Sequence, residues 1–105
     1  MYVPTAFTHQ ARFEAAVERA ARSLAPRVAS IILTLGNDWS GEPAVFFMVI
    51  LSDSAIGPEQ LLKVTNDVSE AIVQKVQPLE QWGVLPYFNF RSQSEQAKLN
   101  QPTMA

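Results

Sequence analysis

The sequence predicts an α+β domain in which two helices cover one face of a three-stranded mixed sheet. Three observations predict this class: two segments with apolar residues at helical spacing, three segments rich in β-branched or aromatic residues, and the order in which they alternate. The length of 105 residues fits one domain. We expect a single domain over residues 1–92 and a polar, flexible C-terminal tail over residues 93–105.

The two helices are predicted from apolar stripes that recur every three or four residues. Thr8 is expected to cap the first helix, which runs to about Leu24. Pro58 suits the first turn of the second helix, and Pro78 limits its end. The two stripes consist of Phe13, Val17, Ala20 and Leu24, and of Leu61, Val64, Val68, Ile72 and Val76.

The three strands are predicted over residues 28–35, 44–51 and about 84–92. The middle segment is apolar at every position, which favours a central strand, whereas Pro86 favours an edge position for the last one. The first two strands form an antiparallel pair. The second helix then returns the chain, so that the third strand runs parallel to the second, and the order is α-β-β-α-β.

This architecture leaves one face of the sheet without a covering layer, because both helices lie on the other face. Alternate residues of the 46–50 run lie on this second face. A mixed apolar and aromatic surface of this kind is typical of interfaces, and we expect it to bind a protein partner or a second copy. The alternative is that the N-terminal lead-in or the tail folds across it. The candidate partner-binding residues are Ile32, Thr34, Leu85, Tyr87, Asn89 and Arg91.

Composition excludes several classes of function. The chain has no cysteine, so disulfides, thiolate metal sites and a cysteine nucleophile are excluded. Charged residues make up 17%, below the usual quarter, and the net charge of −2 disfavours general nucleic-acid binding. We find no secretion signal, and the longest apolar run, residues 44–51, is too short to span a membrane. A cytoplasmic location is therefore expected.

The loop between the first two strands is the most distinctive stretch. Asp38 and Glu42 could hold Mg²⁺ while Trp39 covers a ligand, which would make the chain a small ligand-binding or metal-dependent enzyme domain. The stretch 89–95 is the second distinctive one, and Arg91 within it is the best candidate to bind a carboxylate, a phosphate or a peptide edge. The enzyme alternative requires Arg91 to converge with Asp38 and Glu42 in one pocket. The structural alternative is a simple strand connection with Trp39 packed against the edge of the core.

Other chemistry is weakly supported. His9 is the sole histidine and is interpreted as a surface residue, so no catalytic residue, metal ligand set or cofactor is predicted. A single-stranded RNA-binding module remains a further alternative, with Tyr87 and Phe88 or Phe90 stacking on bases beside Arg91.

The chain also resembles the minimal nucleotidyltransferase domain over roughly residues 10–92. The first strand ends in Gly36-Asn37, where that family has Gly-Ser, and it is followed by a strand, a helix and another strand. The family carries an Asp-x-Asp pair on its second strand, but this chain has Val45, Phe46 and Phe47 there. The resemblance therefore implies a copy without metal ligands that transfers no nucleotide. Such domains occur in two-gene toxin–antitoxin systems beside a helical partner, which implies an antitoxin-like role.

Taken together, the sequence favours a non-catalytic interaction module, a homodimer or the small subunit of a complex, that binds through the uncovered sheet face.

Overall fold

The computed structural model describes residues 3–53 and 58–100. Its β-sheet has three strands in the order β1 (Val28–Asn37), β2 (Pro43–Leu51) and β3 (Leu85–Ser92), with β2 in the centre, so the predicted α+β class and three-stranded mixed sheet are confirmed. A 3₁₀ turn, Pro58–Gln60, precedes the third helix. The elements are α1 (Thr5–Thr8), α2 (Gln10–Ser23), β1 (Val28–Asn37), β2 (Pro43–Leu51), α3 (Leu61–Val76), α4 (Pro78–Trp82), β3 (Leu85–Ser92) and α5 (Gln93–Asn100).

The strand register decides which side chains share a face. β1 pairs with β2 antiparallel, and β2 pairs with β3 parallel, as the sequence predicted. One row across the sheet joins Thr34, Phe46 and Tyr87, and the next row joins Leu33, Phe47 and Phe88. Because successive residues of a strand point to opposite faces, these two adjacent rows lie on opposite sides of the sheet.

The core lies between the sheet and the layer formed by α2 and α3. The buried stripes of both helices pack against Val45, Phe47 and Val49 of β2. The ring of Phe13 lies 6.5 Å from that of Phe47 and 5.1 Å from that of Trp82. α2 buries the apolar stripe that predicted it, and α3 buries its stripe from Val64 onward, whereas Leu61 at the start of α3 is 49% exposed. Such tertiary packing is where most of a short helix's stability arises.

The N-terminus differs from the prediction in detail. Thr8 does not cap α2, because it ends the short helix α1, where its hydroxyl donates to the Thr5 carbonyl. His9 occupies the N-cap position without a side-chain capping bond. Ala6 is fully buried in the helical core. From residue 3 onward the lead-in therefore packs with the helices and does not fold across the other face.

A short helix that the sequence analysis did not predict, α4, lies between α3 and β3. Gln77 adopts a left-handed conformation with φ of 52°. α3 therefore ends at Val76, and α4 starts at Pro78. Gly83, with φ of 70°, ends α4. The indole Nε1 of Trp82 donates to the Val76 carbonyl at 3.1 Å and ties α4 to the end of α3.

The segment after β3 also differs from the expected irregular tail, because residues 93–100 form α5. Ser92 and Glu95 bond reciprocally at its start: the Ser92 amide donates to Glu95 Oε1 at 3.4 Å, and the Glu95 amide donates to Ser92 Oγ at 3.2 Å. This is a capping box. Residues 101–105 lie outside the described residues, and the division into a domain over 1–92 and a flexible tail stays a prediction.

Candidate interaction surface

We call the side of the sheet opposite α2 and α3 the open face. The six predicted partner-binding residues all lie on it by strand register, together with the alternate residues of the 46–50 run. Its members are Ser30, Ile32, Thr34 and Gly36 of β1, Ala44, Phe46, Met48 and Ile50 of β2, and Leu85, Tyr87, Asn89 and Arg91 of β3.

Exposure is uneven across the open face. Ile32 and Phe46 keep 47% and 36% of their surface exposed, although both are large apolar side chains. Thr34 and Asn89 are also exposed, whereas Met48, Leu85 and Tyr87 are half-buried. The accessible apolar surface therefore centres on β1 and β2.

The end of the open face that lies next to α5 is partly covered. Ile50 is only 4% exposed, and its register neighbour Arg91 donates from its guanidinium to Gln96 Oε1 of α5 at 2.8 Å. Gln93 and Ser94 of α5 further bond to Asp53, just after β2. The tail thus covers one end of the open face, which partly fulfils the alternative that the sequence left open.

An aromatic pair occupies the middle of the open face. The rings of Phe46 and Tyr87 stack with centroids 5.5 Å apart and planes 20° from parallel. Gly36 borders the pair, because a Cβ at this position would lie 3.8 Å from the Phe46 ring. The stack forms a flat, apolar platform beside the hairpin loop.

The loop 38–42 between β1 and β2 is closed by its own hydrogen bonds. Asp38 Oδ1 accepts from the Ser40 amide at 2.9 Å, the Ser40 hydroxyl at 2.6 Å and the Glu42 amide at 3.0 Å. The backbone of Asp38 also bonds to Glu42 and Gly41, and Gly41 has φ of 89°, a conformation that favours glycine. These bonds fix the loop in one conformation.

A further hydrogen bond ties the loop to the open face. The Tyr87 hydroxyl donates to Asp38 Oδ2 at 2.7 Å, across the central strand. The hydrogen bonds from Ser40, from Tyr87 and from the loop amides together hold the pKa of Asp38 at about 2. The same contact with Asp38 raises the pKa of Tyr87 above 10.0. Near neutral pH the Asp38 carboxylate is therefore charged, and the Tyr87 phenol is neutral.

These contacts weigh against the enzyme alternative. Both oxygens of Asp38 already accept hydrogen bonds, so the carboxylate has little capacity left for a metal ion. Arg91 pairs in register with Ile50, seven residues along β2 from Pro43 at the loop, a separation of roughly 23 Å. Arg91 therefore does not converge with Asp38 and Glu42. Across residues 3–53 and 58–100, no group of three or more His, Asp or Glu residues could hold a metal.

Trp39 does not occupy the place expected from a simple strand connection. Its side chain is 92% exposed and is not packed against the edge of the core. Since Asp38 is bonded to Tyr87, Trp39 follows directly after a residue that touches the open face. A binding role for the predicted ligand residues Asp38, Trp39 and Glu42 stays a prediction.

The residues proposed for base stacking lie on opposite faces of the sheet. Tyr87 and Arg91 lie on the open face, but Phe88 and Phe90 point to the helical side and pack against the core. The aromatic residues near Arg91 therefore do not form one platform. His9 is exposed, and its Nδ1 lies 2.9 Å from the Thr8 hydroxyl, at the start of the helical layer.

A groove of about 490 Å³ lies on the helical side, between α2 and β1. Its polar rim is formed by Glu14, Glu18 and Arg22, and its floor includes Val17 and Ile31. It contains none of the residues predicted to bind a partner or ligand. In the described part of the chain, no helix is long and apolar enough to cross a bilayer.

The fold is similar to that of the MamM CTD. The copper form of this domain superimposes with a TM-score of 0.58 and 15% sequence identity, covering 91% of this chain and 94% of that one. A triple-substituted MamM CTD gives a TM-score of 0.57 at 16% identity, covering 82% of this chain and 98% of the other. At these identities the similarity shows the fold alone.

Comparisons by sequence give no relationship. No family model matches the chain, and no curated protein matches it. The resemblance to minimal nucleotidyltransferases therefore stays an untested prediction.

Two features of the surface were not foreseen from the sequence. The hydrogen bond between Asp38 and Tyr87 joins residues 49 positions apart and depends on the parallel register of β2 and β3, which no local pattern reveals. The cover that α5 gives to Ile50 falls under the alternative that the tail folds across this face, but the helical form of the tail was not predicted, although Ser92 and Glu95 have the spacing of a capping box.

Proposed function

We propose that this chain is a non-catalytic interaction module that self-associates through the open face. The observation that carries the proposal is the exposure of Ile32 and Phe46 on a sheet face that neither long helix covers. Water-exposed apolar side chains on a regular, flat surface are stabilised when a second surface excludes the water.

The charge of the open face supports a second copy as the partner. Of its residues, all within the described part of the chain, Arg91 is charged and the others are apolar or neutral. Arg91 is itself bonded to Gln96 at the covered end. A two-fold axis brings a surface against an identical one, so a neutral patch meets no repulsion, whereas a charged partner would find no complementary group.

The similarity in fold supports a discrete folded module and does not extend to its ligands. Copper belongs to the form of the MamM CTD that was compared. In this chain the described residues offer no matching cluster of ligands, and the sequence has no cysteine, so we propose no metal role.

Finer assignments remain part of the proposal. The small subunit of a mixed complex is the alternative to self-association, and the antitoxin-like role depends entirely on the resemblance to minimal nucleotidyltransferases. A cytoplasmic location, expected from the sequence by elimination, likewise stays part of the proposal.

The test is the molar mass of the full chain in solution, measured by sedimentation velocity over a wide range of concentration. We expect a reversible dimer for the wild type and a monomer for Ile32→Asp, because the substitution places a charge in the apolar interface. The matched control is Leu62→Asp, which adds the same charge at a side chain of α3 that is 76% exposed. The control should dimerise as the wild type does.

Circular dichroism of each variant confirms that it folds. A wild type that stays monomeric at every concentration would contradict self-association. A wild type and an Ile32→Asp variant that dimerise equally would show that another surface is the interface.

A further inference from the structure

The proposed interface is small if it consists of the sheet alone. Three strands of about eight residues cover roughly 14 Å by 26 Å, or about 360 Å², on each copy. Stable interfaces bury about 800 Å² per partner. Since α5 already covers Ile50 at one end, the remaining area has to come from a neighbouring element.

The loop 38–42 borders the other end of the open face, where Ala44 is buried and Gly36 and Leu85 are half-buried, and it carries a large apolar side chain. Trp39 is 92% exposed, the highest exposed fraction among the large apolar side chains of the described residues. A tryptophan buries about 150–250 Å² when it enters an interface. Two such residues in a symmetric dimer would supply much of the missing area.

The loop presents Trp39 in a fixed position. Asp38 Oδ1 accepts three hydrogen bonds from within the loop, and Asp38 Oδ2 accepts one from Tyr87. Tyr87 in turn stacks on Phe46 in the middle of the open face. The backbone that carries Trp39 is therefore ordered before any partner binds, which lowers the conformational entropy that binding has to remove.

We propose that Trp39 is the anchor of the self-association surface, where it packs on the second copy, and that Asp38 and Tyr87 are the residues that position it. This inference rests on the proposed self-association through the open face. Tryptophan is the residue most enriched among side chains that dominate binding energy, and such residues are surrounded by a larger, weaker contact area. The open face supplies that area.

The first test compares dimer dissociation constants by sedimentation. Trp39→Ala is expected to raise the dissociation constant at least about tenfold, and Trp39→Phe less, since the ring is partly retained. Leu79→Ala is the matched control, because Leu79 is 52% exposed on α4, in the helical layer. The control should leave the constant unchanged.

The second test separates positioning from simple stability. Tyr87→Phe keeps the stacked ring but removes the hydrogen bond to Asp38 Oδ2. It is expected to raise the dissociation constant several-fold in the wild type and to have no effect in a Trp39→Ala background. An equal effect in both backgrounds would show that Tyr87 acts on the interface independently of Trp39.

A spectroscopic readout follows the anchor directly. In a Trp82→Phe background Trp39 is the sole tryptophan, and its emission should shift to shorter wavelength as the dimer forms. If the wild type dimerises and Ile32→Asp prevents it, but Trp39→Ala has the wild-type constant and the emission stays fixed, the anchor is wrong while the proposed function stands. A wild type that never dimerises would overturn both.

Discussion

The two faces of the sheet carry similar side chains that differ in how far they are covered. Phe46 and Phe47 are neighbours on the central strand, yet Phe47 is 1% exposed beneath α2 whereas Phe46 is 36% exposed on the open face. Both rings stack on an aromatic side chain of β3, with centroids 5.5 Å apart for Phe46 and 5.1 Å for Phe47. The difference lies in whether a second layer covers the ring.

This difference teaches that apolar content alone does not assign a strand's role. β2 is apolar on both sides, so its sequence would suit a sheet covered on both faces. The covered face stabilises the domain, and the open face retains apolar surface that is available to a partner.

The largest contrast is expected between alanine substitutions at the two phenylalanines. Phe47→Ala should lower the free energy of unfolding by about 3–5 kcal/mol, because it leaves a cavity in the core. Phe46→Ala should cost about 1 kcal/mol or less when measured by urea denaturation at a concentration where the chain is monomeric. Equal losses would break the comparison, because they would mean that the open face is covered within a single chain.

A smaller contrast is expected on the edge strand. Ile31 is partly buried against the core, whereas Ile32 is 47% exposed on the open face. Ile31→Ala should destabilise the monomer by about 1–3 kcal/mol more than Ile32→Ala, since both lose the same strand propensity and only one loses core packing. The same denaturation experiment measures the difference. If the two variants lose equal stability, the contrast between the two faces would hold for β2 alone.

The smallest effect concerns the ionisation of the two residues that join the loop to the open face. The pKa of Tyr87 is raised above 10.0 by Asp38, so the contact stabilises the fold below that pH and is lost as the pH rises through the folded-state value. The pKa of Asp38, lowered to about 2, adds stability above 3.8 that is lost as the pH falls through about 2.

Tyrosinate absorbance in a Tyr2→Phe background, where Tyr87 is the sole tyrosine, follows the first titration. Asp38→Asn should return the Tyr87 midpoint toward 10.0. An unchanged midpoint would show that the hydrogen bond between Tyr87 and Asp38 does not form in solution. The loop would then not be tied to the open face by this contact.

Much of the fold follows from short-range patterns. The stripes from Phe13 to Leu24 and from Leu61 to Val76 predicted α2 and α3, and the alternation in 28–35 and 84–92 placed the candidate residues on one face. These predictions hold because each depends on which side of one element is apolar.

The differences arise where the structure depends on backbone conformation or on distant contacts. α4 follows a break in the helix at Gln77, which adopts a left-handed conformation that glycine usually provides, so the usual glycine signal of a helix end is missing there. Trp39 is 92% exposed although a tryptophan is usually largely buried, and the bond between the adjacent Asp38 and Tyr87 joins residues far apart in the chain. The candidate surface was predictable as a set of residues, but its boundaries at the loop and at α5 were not.

β1 has a consequence for the chain before it folds and when it unfolds. It is a ten-residue edge strand without a charged residue or a proline, two of the devices by which natural sheets block strand addition at an edge. In the folded domain α2 flanks one side of this strand. Once released, the stretch Val28–Leu35 is a low-charge, β-branched segment of the type that forms intermolecular cross-β stacks. Pairing with β2 satisfies one edge of this segment in the folded domain, so unfolding would expose both of its edges to other chains.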